Sequence, residues 1–529
     1  MLGFVVSLLA RSGLVLLVAA LLCTAQAQTL RWAARSDMRS FDPYAYAEAV
    51  NHNLNALVHD ALVERDARNV IVPALATHWR RFDPLTWRFT LREGVKFHDG
   101  TPFSAADAVF SIQRAQQADS AYASFARPLG TPVAIDASTL ELRLARPNPL
   151  VLQQLASILM MSRNWAAAHQ AERVPPYAAR EQSYTATHAM GTGRYVMRER
   201  LPGQRTTFVR NRQWWGQTEG NVAEIVYQPI DNDATRAAAL LSGDIDFSQD
   251  VAPQDIERFA SMPSIRLASI VEDRLIMFGF DQWRDELLYS SVRGKNPLKD
   301  VRVREALWRA IDAPQLAATI MRGQAAPTGC LAIAARACAA SELEARNAPD
   351  VARARRLMAA AGYPDGFDLT LDCPTDRFVN DRQLCVAIAG MLGRIGVRLK
   401  VEARPKSIHF QRLNAGDTSF YMIGWGGLDP DPQALFDGLL HSRDVAAGKG
   451  GINNGRVADA ELDRLIDAAA IEPDAPARAT LIRDVQRRAY EQVYYLPLHR
   501  QTLTWAMRAN VRAVITADNL VRADWIRID

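Results

Sequence analysis

The period of apolar and polar positions changes repeatedly along the chain, and each change predicts an element. Thr86-Trp87-Arg88-Phe89-Thr90-Leu91 and Leu140-Glu141-Leu142-Arg143-Leu144 alternate with a period of two, which predicts strands with one buried face. Between them Asp99-Gly100-Thr101-Pro102 reads as a turn. Ser104, with Asp107 at the reciprocal position, predicts a capped helix start. Leu30 to Ala34 is a short apolar run that suits a strand, broken by Ser40-Phe41-Asp42-Pro43. Val301 to Ile311 places Val303, Ala306, Leu307 and Ala310 on one helical side.

Between about residues 350 and 430 the pattern runs helix, strand, helix, strand, strand. The helices are Ala352–Ala360 and Arg382–Arg394, stopped by Gly362 and Gly396. The strands are Phe367–Leu371, Val397–Val401 and Ser419–Trp425. Helices over Glu461–Ala470 and Ala477–Val493 follow. Strands alternating with helices predict an α/β fold with crossover helices.

The length of 529 residues predicts three to four domains. Hydrophobic residues are 49% and charged residues 23%, which excludes a mainly disordered chain. Lys and Arg total 62 against 58 Asp and Glu, so no strong field points to nucleic acid or an acidic membrane. Met1 to Cys23 is almost wholly apolar, with Arg11 its only charge, and Ala25-Gln26-Ala27 follows as a small-x-small cleavage signal. Residues 1–27 are therefore expected to be a signal peptide cut before Gln28. An uncleaved anchor is the alternative. A lipoprotein would use Cys23, but Leu22 precedes it where a small residue belongs.

Removal of Cys23 leaves four cysteines in an exported chain, where disulfides are permitted. Three pairings exist. The local pairs Cys330–Cys338 and Cys373–Cys385 are the expectation, with free or buried thiols as the alternative.

Catalytic patterns are missing: there is no G-x-S-x-G, H-E-x-x-H, G-x-x-x-x-G-K-[ST] or EF-hand loop. Gly191-Thr192-Gly193 has Val196 where a dinucleotide fingerprint needs its third glycine, and reads as a turn. Asp233 reads as the N-cap of the helix before Gly243, and Asp244 and Asp246 as outward charges flanking Ile245. His52 and His59, seven apart, could share a helix face and meet a metal. No catalytic residue, cofactor or metal site is expected.

A series of local patterns then occurs in order. Ser40-Phe41-Asp42-Pro43 resembles the opening of periplasmic peptide-binding proteins. Pro73-Ala74-Leu75-Ala76 with Trp79, and Thr86 through Gly100, resemble that family's signature block. Gly191 to Tyr195, Arg210 to Gly216, Asp300 to Ala306, Ile311-Asp312, Gly424-Trp425 with Asp431-Pro432, and Tyr495-Leu496-Pro497-Leu498 continue it. The mature chain is similar throughout to the dipeptide, oligopeptide and nickel class of solute-binding proteins that serve ABC importers.

The resemblance implies a two-lobed type II periplasmic-binding-protein fold with an extra domain in the first lobe. Residues 28–62, 190–275 and 500–529 would form lobe 1, 63–189 the inserted domain and 276–499 lobe 2. The hinge would cross near Phe278–Phe280 and Leu498–Arg500, with ligand between the lobes. A periplasmic monomer is implied, delivering peptide or peptide-like ligand to a permease.

A zwitterionic peptide needs a cation for its carboxylate and a buried acid for its ammonium. By resemblance, Arg382 holds the carboxylate. Gly424, Trp425 and Gly426 end a strand at the cleft, Trp425 covering the ligand and the glycines admitting its backbone. Tyr46, Asn51 and His52 fall where the family lines the opposite wall. The family places an aspartate three residues after this tryptophan to meet the ammonium. Leu428 stands there instead, with Asp429 next to it. An amine-blocked or opine-like solute, or a metal chelate, is the alternative ligand. An exported hydrolase and a chaperone-like receptor are the competing classes.

Overall fold

The computed structural model describes residues 28–338, 341–345, 348–426, 430–444 and 446–529. The expected signal peptide, Leu428 and Asp429 lie outside the described residues.

The chain enters on β1 (Gln28–Ala34), then α1 (Ala49–Val58). Four strands follow: β2 (Ala76–Asp83), β3 (Thr86–Leu91), β4 (Thr131–Ala134) and β5 (Thr139–Arg143), with α2 (Ala105–Ala115) between β3 and β4. They form a separate sheet in the order β2-β3-β5-β4. Phe89, Leu91, Leu140 and Leu142 bury one face of it against Ile112 of α2. Ser104 and Asp107 cap α2 reciprocally, as their spacing predicts.

The chain then adds β6 (Tyr195–Leu201), β7 (Arg205–Arg210), β8 (Val222–Pro229), α3 (Asp233–Ser242), β9 (Phe247–Ser248) and the long β10 (Ile265–Phe280). The second half contains α4 (Val301–Ala310), β11 (Ala325–Pro327), α5 (Val351–Ala360), β12 (Phe367–Pro374), α6 (Asp381–Gly393), β13 (Val397–Arg404), α7 (Lys406–Ala415) and β14 (Phe420–Gly426). Helices α8 (Ala460–Ile471) and α9 (Ala475–Glu491) precede the long β15 (Tyr495–Arg508).

One sheet runs through all of these strands in the order β13-β12-β14-β10-β15-β9-β1-β8-β7-β6, with β11 on β15. The long strands β10 and β15 are antiparallel partners that belong to both ends of it. Their ladder is interrupted between Val271 and Leu275, so the two halves join there and not near Phe278–Phe280, which pair with Leu496 and Phe420 inside the second half. Each half has its own core. Trp32, Phe208, Tyr227, Phe247 and Trp505 fill the first. Phe278, Leu307, Leu371, Leu384 and Phe420 fill one face of the second, and Tyr421, Ile423, Phe436 and Leu462 the other. The fold is α/β, two-lobed, with an extra domain on the first lobe.

Two local expectations are corrected. Asn232, not Asp233, caps α3 by accepting from the Thr235 amide at 2.9 Å; Asp233 instead pairs with Arg35 and Arg236. Asp246 is buried, not outward: it accepts from the Arg31 amide at 3.0 Å and from its guanidinium at 2.8 and 2.6 Å. Both cysteine pairs, Cys330–Cys338 and Cys373–Cys385, are joined as disulfides.

Candidate ligand cleft between the lobes

Strand register places the cleft. In the second lobe β12 runs parallel to β13 and β14, and β14 pairs antiparallel with β10 from Phe420↔Phe280 to Gly426↔Arg274. The carboxyl ends of these strands therefore point along β10 toward its interruption. In the first lobe β1 is parallel to β8 and β9, and β9 pairs Ser248 with Ala506 of β15. Those carboxyl ends point toward the same interruption from the other side. Ligands of open α/β sheets bind outside the carboxyl ends of the strands. Here two such edges face each other across a two-strand hinge.

Charges converge on the floor. Glu272 is buried and accepts from Arg274 Nε at 3.0 Å and Gln501 Nε2 at 3.3 Å. Burial raises its pKa, against the pull of Arg274. Arg274 lies beside Gly426, where an added Cβ would sit 3.2 Å from the guanidinium carbon. Arg377, in the loop after β12, keeps an exposed side chain although protein crowds around its charge. That burial and the like charge of Arg274 push its pKa down to about 10, with Glu272 and Glu48 opposing. It stays cationic at neutral pH.

The Arg377 loop is built from local hydrogen bonds. The Asp381 carboxylate accepts from the backbone amides of Arg377 at 3.1 Å, Phe378 at 3.2 Å and Arg382 at 2.8 Å. Asn380 takes a left-handed conformation, φ 53°, and its side-chain Nδ2 donates to the Ile320 carbonyl at 2.8 Å. The Val379 amide donates to Gln501 Oε1 at 3.5 Å, joining the loop to the hinge. Arg382 stands exposed in the first turn of α6.

The glycines serve the protein's own packing. A Cβ at Gly424 would lie 2.6 Å from the Phe378 ring, so that ring fills the space the sequence reading reserved for ligand backbone. Trp425 is half-buried on the face of β14 that carries Tyr421 and Ile423, and it packs over Gly438, where a Cβ would come within 2.8 Å of it.

On the first-lobe wall, Tyr46 is buried beneath the Arg39 guanidinium, 4.1 Å from ring centroid to carbon, and its hydroxyl lies 3.4 Å from Glu181. Arg39 lies 3.9 Å from Glu48. Asn51 holds the loop after β1, accepting from the Arg39 amide at 3.1 Å and donating to the Ser40 carbonyl at 3.3 Å. His52 is buried, with Nδ1 3.2 Å from the Tyr122 hydroxyl, and burial pushes its pKa down to about 4. His59 is held low in the same way, also to about 4. Among the described residues, the grouping of three possible metal ligands is Cys330, Cys338 and Glu344, and its two sulfurs are spent in a disulfide.

A cavity of about 470 Å³ opens where the described chain resumes after β14. Arg65, Asn69 and Gln153 line one side; Arg336, Pro430 and Arg483 line the other. Sequence reasoning missed Arg377, Glu272 and Arg274. Glu272-Asp273-Arg274 inside a long apolar strand was the available signal for the last two.

Two α/β lobes whose parallel strands meet end to end across a two-strand hinge define a two-lobed, type II binding-protein fold. The chain belongs to the bacterial extracellular solute-binding proteins, family 5, whose profile, described as the family 5 Middle region, matches residues 70–447. It is similar to the periplasmic murein peptide-binding protein MppA of Escherichia coli, 24% identical over 467 residues, covering 84% of this chain and 82% of that one. It is also similar to the E. coli dipeptide-binding protein, 24% identical over 530 residues with 95% of each chain covered. Among solved structures, DppA of Helicobacter pylori in complex with the peptide STSA superposes with a TM-score of 0.79 at 21% identity, covering 94% of this chain and 98% of that one. AgaA of A. tumefaciens R10 in complex with agropinic acid gives 0.77 at 21% identity, covering 95% and 99%.

Among the described residues, no helix is long and apolar enough to cross a membrane.

Proposed function

We propose that this protein captures small peptides, or solutes with a peptide-like carboxylate, between its lobes and presents the closed form to the permease of an ABC importer. The observation that carries this reading is the facing of the two strand edges over a floor holding Arg377, Arg274 and Glu272. Arg377 is the cation for the ligand carboxylate, since it is charged, exposed and set beside Phe378 at the end of β14. Arg382 lies on the same loop's edge and supplies a second, more hydrated charge. Trp425, Gly426 and Tyr46 bound the cleft, and Asp429 is the candidate partner of a ligand ammonium. The peptide-binding relatives support the ligand class.

The lobes are assigned as 28–62, 190–275 and 500–529 against 276–499, with 63–189 inserted, and the hinge at the β10 interruption. Export by a signal peptide cut before Gln28 and action as a periplasmic monomer complete the reading; two disulfides suit an oxidising compartment.

A second reading is an amine-blocked, opine-like solute, favoured by Leu428 and by the likeness to AgaA. Small-angle scattering of protein stripped of ligand tests closure. A fall in radius of gyration on adding di- and tripeptides is expected; an unchanged radius with peptide demonstrably bound would refute capture by lobe closure.

A further inference from the structure

The loop that carries Arg377 is irregular, yet it is pinned at both ends and from beneath. Cys373 is the last residue but one of β12 and Cys385 lies in the second turn of α6, and their disulfide closes the segment between them. Inside that segment the Asp381 carboxylate gathers three backbone amides, at 3.1, 3.2 and 2.8 Å. Phe378 seats its ring in the notch at Gly424, and the Arg377 guanidinium carbon lies 5.3 Å from that ring's centroid.

We propose that the Cys373–Cys385 disulfide and Asp381 are positioning elements for Arg377, so that discrimination of anionic ligands by the cleft depends on both. The inference rests on the reading of Arg377 as the ligand's cation. An arginine on a loose loop pays the cost of ordering the loop when ligand binds; one on a loop already fixed does not. Cross-linking removes alternative loop conformations. A carboxylate accepting three amides selects one turn geometry from those that remain. Strand and helix are also held together by packing. Cys373 and Cys385 are fully buried in a core where Leu371, Leu384, Ile388 and Leu392 already join the two elements. Its position relative to Arg377 is what makes it a determinant of binding.

The test compares two probe pools: tripeptides Ala-X-Ala with X any of the twenty residues, and the same peptides as C-terminal amides. Each pool is titrated by thermal shift and calorimetry into wild type, Cys373→Ala/Cys385→Ala, and Asp381→Ala. Folding of each variant is checked by circular dichroism. Wild type is expected to prefer the acids by tenfold or more. Both variants are expected to fold and to lose most of that preference, falling below threefold. General loosening would weaken acids and amides alike and leave the ratio standing, so a retained tenfold ratio overturns the proposal. If the double cysteine variant does not fold, Asp381→Ala and the milder Asp381→Asn decide by the same ratio. Wild type that binds neither pool, or binds both equally, refutes the reading of Arg377 itself, and the positioning proposal falls with it.

Discussion

Asp42 and Arg114 form a fully buried, two-pronged ion pair, with Nη1 2.8 Å from Oδ1, that fastens the loop after β1 to α2. Thr185 and the Tyr44 amide supply the remaining donors to the carboxylate, at 3.1 and 3.0 Å. The aspartate of the Ser40-Phe41-Asp42-Pro43 segment thus has a structural task that does not touch ligand. Burial alone would raise its pKa, but the guanidinium and the other donors hold it below the ordinary carboxylate value.

Removing one partner of such a pair leaves a buried charge without compensation. Asp42→Ala is therefore expected to destabilise the protein by about 3–5 kcal/mol, read from urea unfolding. A loss below about 1 kcal/mol would mean that Arg114 finds water or another partner.

Phe378 and Gly424 interlock at the edge of the cleft. Gly424→Val would drive its side chain into the ring, since even a Cβ falls 2.6 Å away. Overpacking of this kind costs about 1–3 kcal/mol. The variant is expected to lose that stability and to bind peptide more weakly, because Phe378 adjoins Arg377. Unchanged affinity would show that the ring does not shape the site.

His52 and His59 give the protein a pH dependence with a definite sign. Both are buried, and burial lowers each pKa from 6.5 to about 4. A lowered folded-state pKa contributes stability that is present above 6.5, the unfolded value, and lost as pH falls toward 4. Going from neutral to acid pH costs on the order of 3 kcal/mol for each. The urea midpoint should fall through that window, and His52→Gln should flatten the slope. Asp372 works the other way. Burial raises its pKa to about 6 despite Arg412 and Arg404, so its contribution is present below 3.8 and is lost as pH rises through 6. Asp372→Asn should raise stability at pH 7 and leave it unchanged at pH 3, the comparison that isolates this group.

The elements with a clear period were legible in the sequence. Thr86–Leu91 is a strand with Phe89 and Leu91 inward, and Ser104 with Asp107 caps a helix, because both signals are local. The crossover order between residues 350 and 430 follows from the same alternation. What was illegible depends on distant partners. Asp246 looked like a surface charge because Arg31, which buries it, is 215 residues away. His52 and His59 do lie together near one helix, but that side faces the interior. Arg377 sits in a loop without a period, and only the folded register brings it toward Arg274 and Glu272.

Capture of ligand carboxylate by Arg377 is the center of the account, and one comparison tests it most directly. Mature protein, unfolded and refolded to strip bound ligand, is scanned thermally with a di- and tripeptide pool beside Arg377→Ala and Arg382→Ala. Ligand at 100 times its dissociation constant adds about 2.7 kcal/mol, a detectable shift. The account predicts a clear shift for wild type, a smaller loss for Arg382→Ala, and its near-abolition in Arg377→Ala, which removes about 2–5 kcal/mol of binding. An equal shift in wild type and Arg377→Ala, or no shift from protein shown to be refolded, would contradict it.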